Sequence, residues 1–470
     1  MSEKSVSVSP ALAPERPLAS ARRLILPLAL AQFICSFAGS NMNVMITDIS
    51  DDLDTTVKGV QTAITLFLLI MAILMIPCSK LTDRWGRKRC FLWGLTLYGI
   101  GALLSAISPS LGVLILGNSV FEGVGTALLI PPVYILATLW FSDITSRAWA
   151  FGVISGLGGI GAAAGPLIGG VITTGISWRA AFVFQALVVG TIVLLSRRLV
   201  DPLEPDPTRP FDAVGAVLSG VGMFCVVFGI LQAGSNNTLL AVFVGVGVAF
   251  LLGFFLYIRA RERSGKEPLL STGLFRNRTC NLALVTQNIQ WLLLMGTSFV
   301  VSVYLQEVRG YNAIKTGVIF TAATLGILFS SLAAERLAKR YAQRTLIVAG
   351  FVVTLAGIVL LLGLVRVSDS IFEFVPGLAL VGLGVGAMLT PSVNVVQSSF
   401  PEKLQGEISG LSRSISNLGS SFGTAIAGTI LVSVVATGNR AFAWAMVALV
   451  VFGLIGLGAA MLLPAKLERA

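Results

Sequence analysis

Glu122 is the residue of this chain best placed to do chemistry. It is the only acidic side chain well inside any of the long apolar stretches. A carboxylate in hydrocarbon is costly enough that intramembrane acids usually face a cavity or a pathway. A carboxyl so placed can load and release a proton as access alternates between two aqueous sides; the plainer alternative is a neutral acid that only hydrogen-bonds a neighbouring helix. The rest of the inventory narrows the field. Histidine is absent, which excludes His-based acid–base catalysis, His haem ligation and His proton relays. Cys35, Cys78, Cys90, Cys225 and Cys280 lie in or at the ends of apolar stretches without metal-ligand spacing, so neither a disulfide framework nor a zinc site follows. A membrane-embedded enzyme would need converging nucleophile, base or metal ligands, and neither His-Glu-x-x-His nor paired carboxylates occur. A channel would show a filter-like loop or a ring of charges, and neither is visible. No cofactor and no metal is expected.

Neutral polar residues in the apolar stretches are candidates for substrate contact. They are Gln32, Asn41 and Asn43 in the first, Gln287, Asn288, Gln290 and Trp291 in the ninth, and Asn394 and Gln397 in the twelfth. Gln287 and Trp291, four apart, share a helix face. The alternative for each is interhelical hydrogen bonding, worth about 1 kcal/mol. Asp48, Asp51, Asp52 and Asp54 cluster beyond the first stretch and read as a solvated loop more than as a cation-collecting vestibule, with Asp48 the second candidate for a proton site.

The elements that must position these residues are membrane helices. Of 470 residues 55% are hydrophobic and only 12% charged, about half the charged share of a soluble domain; a water-soluble globule is excluded. The first 23 residues are polar and end in Arg22-Arg23 before an apolar run, 24–46, too long for a signal-peptide core. Further spans are expected at 58–78, 90–107, 112–139, 149–173, 179–196, 212–233, 238–258, 279–305, 314–334, 345–366, 374–398, 408–436 and 441–463, fourteen in all. The net charge of +11 then describes sidedness, not nucleic-acid binding. With a cytoplasmic N-terminus, 27 of the 33 Lys and Arg fall in cytoplasmic segments and six on the other side. That bias places both ends in the cytoplasm.

An internal repeat organises the spans. Gly161, Gly165 and Gly170 recur as Gly419, Gly423 and Gly428 at an offset of 258, and Leu81-Thr-Asp-Arg-Trp-Gly86 aligns with Leu337-Ala-Lys-Arg-Tyr-Ala342 at 256. Both copies run in the same direction, as in transporters built from parallel six-helix repeats. The expected organisation is a tail (1–23), a six-helix half (24–196), an inserted two-helix segment (197–258), a linker (259–278), a second six-helix half (279–463) and a tail (464–470).

Two motifs carry more. Ser79-Lys-Leu-Thr-Asp83-Arg84-Trp-Gly86-Arg87-Lys-Arg89 joins the second and third spans: Gly86 permits a tight turn, Asp83 can accept from exposed helix-end N–H groups, and the cations can pair with carboxylates or lipid phosphates. In the fifth span, Gly161, Gly165-Pro166 and Gly169-Gly170 allow close helix approach, and Pro166 can bend the helix. The first motif resembles the loop between helices 2 and 3 of the major facilitator superfamily, with Ser79 in place of a glycine. The second resembles the Gly-Pro-x-x-Gly-Gly signature of its antiporters. With fourteen spans, Trp178-Arg179 opening the sixth, and 306–311 resembling the loop after the ninth, the chain is similar to the 14-helix drug/proton antiporter branch.

That resemblance implies an all-α polytopic membrane protein with the major facilitator fold, 14 transmembrane helices arranged 6+2+6. It further implies export of a small amphipathic or drug-like compound across the cytoplasmic membrane, in exchange for protons, by alternating access. The expected partners are that compound, protons and the bilayer, with no nucleic acid and a monomeric chain. It also implies a conformational gate built from Asp83, Arg84, Gly86, Arg87 and the fifth-span glycines and Pro166, made asymmetric by Lys339 at the Asp position of the second copy. Two departures stand out: Ala38 occupies the position of a usual first-helix Asp, and Ser119 that of a usual fourth-helix Arg. An ion-independent facilitator or importer of a small metabolite is the alternative they favour. One proton entering down about 100 mV and one pH unit supplies about 3.7 kcal/mol, so a single acid suits neutral or singly charged cargo better than dications.

Overall fold

The computed structural model describes residues 18–141, 144–197, 199–338, 340–364, 371–400, 404–433 and 439–464. Lys339 and most of both tails lie outside them. The long helices are α1 (Leu24–Asp52), α2 (Val57–Trp85), α3 (Arg87–Ala106), α4 (Leu111–Trp140), α5 (Ile144–Gly175), α6 (Trp178–Ser196), α7 (Ala213–Leu231), α8 (Asn237–Arg263), α9 (Arg278–Val308), α10 (Ala313–Ala338), α11 (Gln343–Leu364), α12 (Phe374–Ser398), α13 (Gln405–Ser433) and α14 (Asn439–Met461). Their starts carry the side chains that satisfy free helix-end amides: Thr56, Ser177, Asp212, Asn236 and Asn277 each accept from a first-turn N–H.

Twelve of these helices are each long and apolar enough to cross a membrane, and α5 makes a thirteenth as two pieces bent by 41° between Ala162 and Ala164. Pro166 accounts for the bend, because its missing N–H is the donor that the Ala162 carbonyl would otherwise receive. The count of fourteen is therefore not established. α13 is the exception, since Ser409, Ser412, Ser414, Ser416, Ser420 and Ser421 dilute its apolar character. Several of these hydroxyls face protein: Ser414 donates to the Ala72 carbonyl at 2.6 Å and Ser421 to that of Thr65 at 3.1 Å.

Three boundaries differ from the sequence reading. α1 continues through a tight turn at Met42–Met45 to Asp52, so Asp48, Asp51 and Asp52 are helical and not a loop. Gly86, at φ +95°, is the one non-helical residue between α2 and α3. Arg413, counted with the 27 cytoplasmic cations although it falls within the expected span 408–436, lies two turns inside α13.

Contacts recur between corresponding helices. α5 packs on α1 and α13 on α9; α3 packs on α4 and α11 on α12. The glycine repeat explains the first pairing. A Cβ at Gly161 would overlap the Phe33 carbonyl on α1, and one at Gly419 would overlap the Asn288 carbonyl on α9. The first six helices meet the last six along two seams, α5 on α10 and α2 on α13. α7 lies over the second seam, where Met223, Val227 and Leu231 cluster with Leu69 and Ala425, and α8 packs on α7. Below, the side of the α2–α3 turn is called the basic face.

Candidate transport pathway

Glu122 ends a widened, π-helical stretch of α4, Ile115–Glu122, the kind of irregularity that re-aims side chains at functional sites. The stretch fits because α3 offers a glycine: a Cβ at Gly101 would come within 2.8 Å of the Glu122 nitrogen. The carboxyl is fully buried. Its Oε2 accepts from Asn118 Nδ2 at 3.4 Å. Ser105 and Tyr98 of α3 and Cys35 of α1 are its other near polar neighbours, and the Tyr98 hydroxyl donates to Gln185 Oε1 of α6 at 2.5 Å. The acid thus sits inside the first six helices, among α1, α3, α4 and α6, with no cation beside it among the described residues. Ser119, at the usual arginine position, donates instead to the Ala63 carbonyl at 2.8 Å. Tyr98, Asn118 and Gln185 went unremarked in the sequence; each is a polar residue in an apolar span, the same signal that flagged Gln32. Asp48, the second acid proposed, is exposed. Its neighbour Asp52 pairs with Arg179 and accepts from Trp178 Nε1 at 3.1 Å.

Among the candidate contact residues, those on α1 stand where the two groups of helices meet. Gln32 Oε1 accepts from the Tyr134 hydroxyl of α4 at 3.3 Å, and that hydroxyl accepts from Arg413 Nη2 of α13 at 2.5 Å. Asn41 is fully buried and neither atom of its amide has a hydrogen-bond partner among the described residues. The Asn43 carbonyl accepts from Gln306 Nε2 of α9 at 2.8 Å, while Gln306 Oε1 accepts from the Thr47 N–H at 3.1 Å. Gln306 was read as part of a loop; it is a buried helical residue that closes the face opposite the basic one.

The candidates on α9 are engaged within the last six helices. Gln287 accepts from Ser412 at 2.9 Å, Asn288 donates to the Ile415 carbonyl at 2.9 Å, and Gln290 accepts from Ser392 at 3.0 Å. These are the interhelical bonds of the plainer reading. Trp291 and Gln397 are half-buried and Asn394 is exposed near the end of α12.

On the basic face, Asp83 accepts from Arg87 Nη2 at 2.5 Å and from Arg209 Nη1 at 2.8 Å, so it is tied to the α6–α7 connection. Asp201 of that connection caps α3, accepting from the Arg87 N–H at 2.7 Å. Arg84 is half-buried one turn from Lys80. The bond across the seam belongs to Lys80, whose Nζ reaches Glu407 of α13 at 2.7 Å and Glu267 of the linker at 3.0 Å. On α5, Gly165 faces Ser40 and Phe37, Gly169 faces Asn41, and a Cβ at Gly170 would lie 2.5 Å from the Ala313 carbonyl of α10. The motif therefore serves both the α1 contact and the first seam.

Comparison with known proteins agrees with this arrangement. The chain is 29% identical over 405 residues to the puromycin resistance protein pur8 of Streptomyces alboniger, covering 85% of this chain and 80% of that one. It is 28% identical to the multidrug efflux pump LfrA of Mycolicibacterium smegmatis, with 86% and 79% covered. It is 28% identical to the tetracenomycin C resistance and export protein of Streptomyces glaucescens, with 82% and 71% covered. A crystal structure of the peptide transporter POT in complex with sulfate superposes with a TM-score of 0.69 at 17% identity over 95% of this chain and 96% of that one, which shows the fold. These relatives are transporters and not enzymes. The Major Facilitator Superfamily profile matches residues 28–424 and again 283–469, and the chain belongs to that superfamily.

Proposed function

We propose that this protein exports a small amphipathic, drug-like compound across the cytoplasmic membrane in exchange for protons, by alternating access, with its basic face in the cytoplasm. The observation that carries the reading is Glu122: a fully buried carboxyl on a widened helical turn, with hydroxyl and amide groups and no cation beside it among the described residues. A carboxyl so placed can take a proton from one aqueous side and deliver it to the other as access alternates. The two small-residue seams support the alternation, since glycine-lined contacts let packed helices slide and separate. Efflux and resistance relatives support the direction of transport.

The test is Glu122→Gln in proteoliposomes. Proton-driven export should be lost while binding of an exported compound persists, and adding that compound should release protons from the wild-type protein alone. If the variant still exports against a gradient and collapses with an uncoupler as wild type does, the coupling site lies elsewhere, with Asp48 next to test. The second reading, an ion-independent facilitator, draws on Ala38 and Ser119 in place of charged residues. It requires uncoupler-insensitive, equilibrating transport.

A further inference from the structure

Arg413 is a cation set well inside α13, a helix of the second seam, with no acid paired to it among the described residues. It lies eight residues after the first residue of α13, about 12 Å along the axis at 1.5 Å per residue, and is half-buried. Its guanidinium carbon stands 4.6 Å from the centroid of the Tyr134 ring, and Nη2 donates to the Tyr134 hydroxyl at 2.5 Å. That hydroxyl donates to Gln32, which in turn donates to Ser36 Oγ at 3.2 Å. Among the described residues no carboxylate comes within ion-pair distance of Arg413, although Lys80, Arg87, Arg179 and Arg261 each have one.

Intramembrane cations are rare and normally pair with an acid or line a pathway. A guanidinium carries five N–H donors in a planar fork suited to an oxyanion, and among the described residues the Tyr134 contact engages one of them. The three residues come from α13, α4 and α1, so the fork opens where the two groups of six helices meet. We propose that Arg413, oriented by Tyr134 and Gln32, binds an anionic group of the transported compound, a carboxylate, sulfonate or ionised phenol on an apolar body. This deepens, and rests on, the export reading above. It also suits the energetics: an anion leaving and a proton entering move charge in the same direction, so the membrane potential acts on both.

The test uses two tritiated probes with one aromatic body and opposite single charges, 1-pyrenebutyrate and 1-pyrenebutyltrimethylammonium, bound to the purified full-length chain in detergent by scintillation proximity. Wild type should hold the anion about tenfold more tightly than the cation, the size of one charge-assisted contact. Arg413→Gln should lose that preference by weakening the anion alone, Arg413→Lys should keep part of it, and Tyr134→Phe, which retains the ring, should keep most. An equal loss for both probes in Arg413→Gln would make the residue a strut between helices and overturn the proposal. So would a wild-type protein that binds the two alike or binds neither. Uncoupler-sensitive transport is read separately in proteoliposomes: its absence with charge-selective binding intact sinks the proton-exchange reading only, and the reverse result sinks this inference only.

Discussion

Lys80 and Glu407 join α2 to α13 at 2.7 Å on the basic face, and the other Glu407 oxygen accepts from the Ser271 N–H at 3.2 Å. One carboxylate thus holds both groups of helices and the linker that follows α8. Because the pair is only partly exposed, its coupling should exceed that of a surface pair, about 1 kcal/mol or a fivefold change in population. Lys80→Gln should lengthen the distance between spin labels at Arg89 and Arg340, and exchanging the charges with Lys80→Glu and Glu407→Lys together should restore it. Unchanged distances in the single variants would reduce the pair to a surface contact.

Gln61 adds a fully buried polar tie in the same seam. Its Nε2 donates toward the Thr424 and Ala425 carbonyls and Thr429 Oγ1 at 3.0, 3.2 and 3.3 Å, all buried. Gln61→Ala removes the shared donor from these α13 acceptors, whose two carbonyls keep their own helical N–H partners, so the cost is that of a lost buried hydrogen bond, about 0.5–1.5 kcal/mol. The expected result is a lower melting temperature in detergent, measurable by intrinsic fluorescence.

Glycine position should matter more than glycine content. Gly161→Ala and Gly419→Ala press a methyl group into a backbone carbonyl of the neighbouring helix, whereas Gly159 has nothing within 4 Å of an added Cβ. The first two should sharply reduce the yield of folded protein by size-exclusion profile, and Gly159→Ala should leave it unchanged. Equal behaviour of all three would contradict the close helix approach.

Sidedness is open to direct labelling, since all five native cysteines are buried and contribute little background. Asn237→Cys and Arg440→Cys should react with an impermeant maleimide added outside whole cells, and Ser264→Cys only after permeabilisation. Arg440→Cys reacting like Ser264→Cys would mean that α13 does not cross the bilayer. Asn237→Cys doing so would say the same of α8.

The helices were legible because hydropathy and glycine register are properties of one dimension: the spans at 374–398 and 179–196 agree with α12 and α6 to within a residue. α1 ran past its expected end because Asp48, Asp51 and Asp52 were read as helix-ending polarity, when a helix end can carry them on an exposed face. The site was far less legible. Whether Gln287 meets cargo or Ser412 depends on which helix lies opposite, and nothing local to the sequence encodes that. Arg413 was lost to a good rule, that cations mark membrane ends, applied to a residue that has a reason to break it. Glu122 was visible as an anomaly, but its placement among α1, α3, α4 and α6, away from the seams, needed three dimensions.

The cover that α7 provides has a consequence in the plane of the bilayer. With α7 and α8 shingled over the α2–α13 joint, and the α5–α10 joint touched by the Met42–Met45 turn of α1 but not overlaid by that added helix pair, the molecule has a covered flank and a bare one. A compound dissolved among acyl chains would meet less protein at the bare joint than at the covered one. Lateral entry of lipid-borne cargo would therefore favour one flank, and its access would depend on which way the transporter is turned toward its neighbours in a crowded membrane.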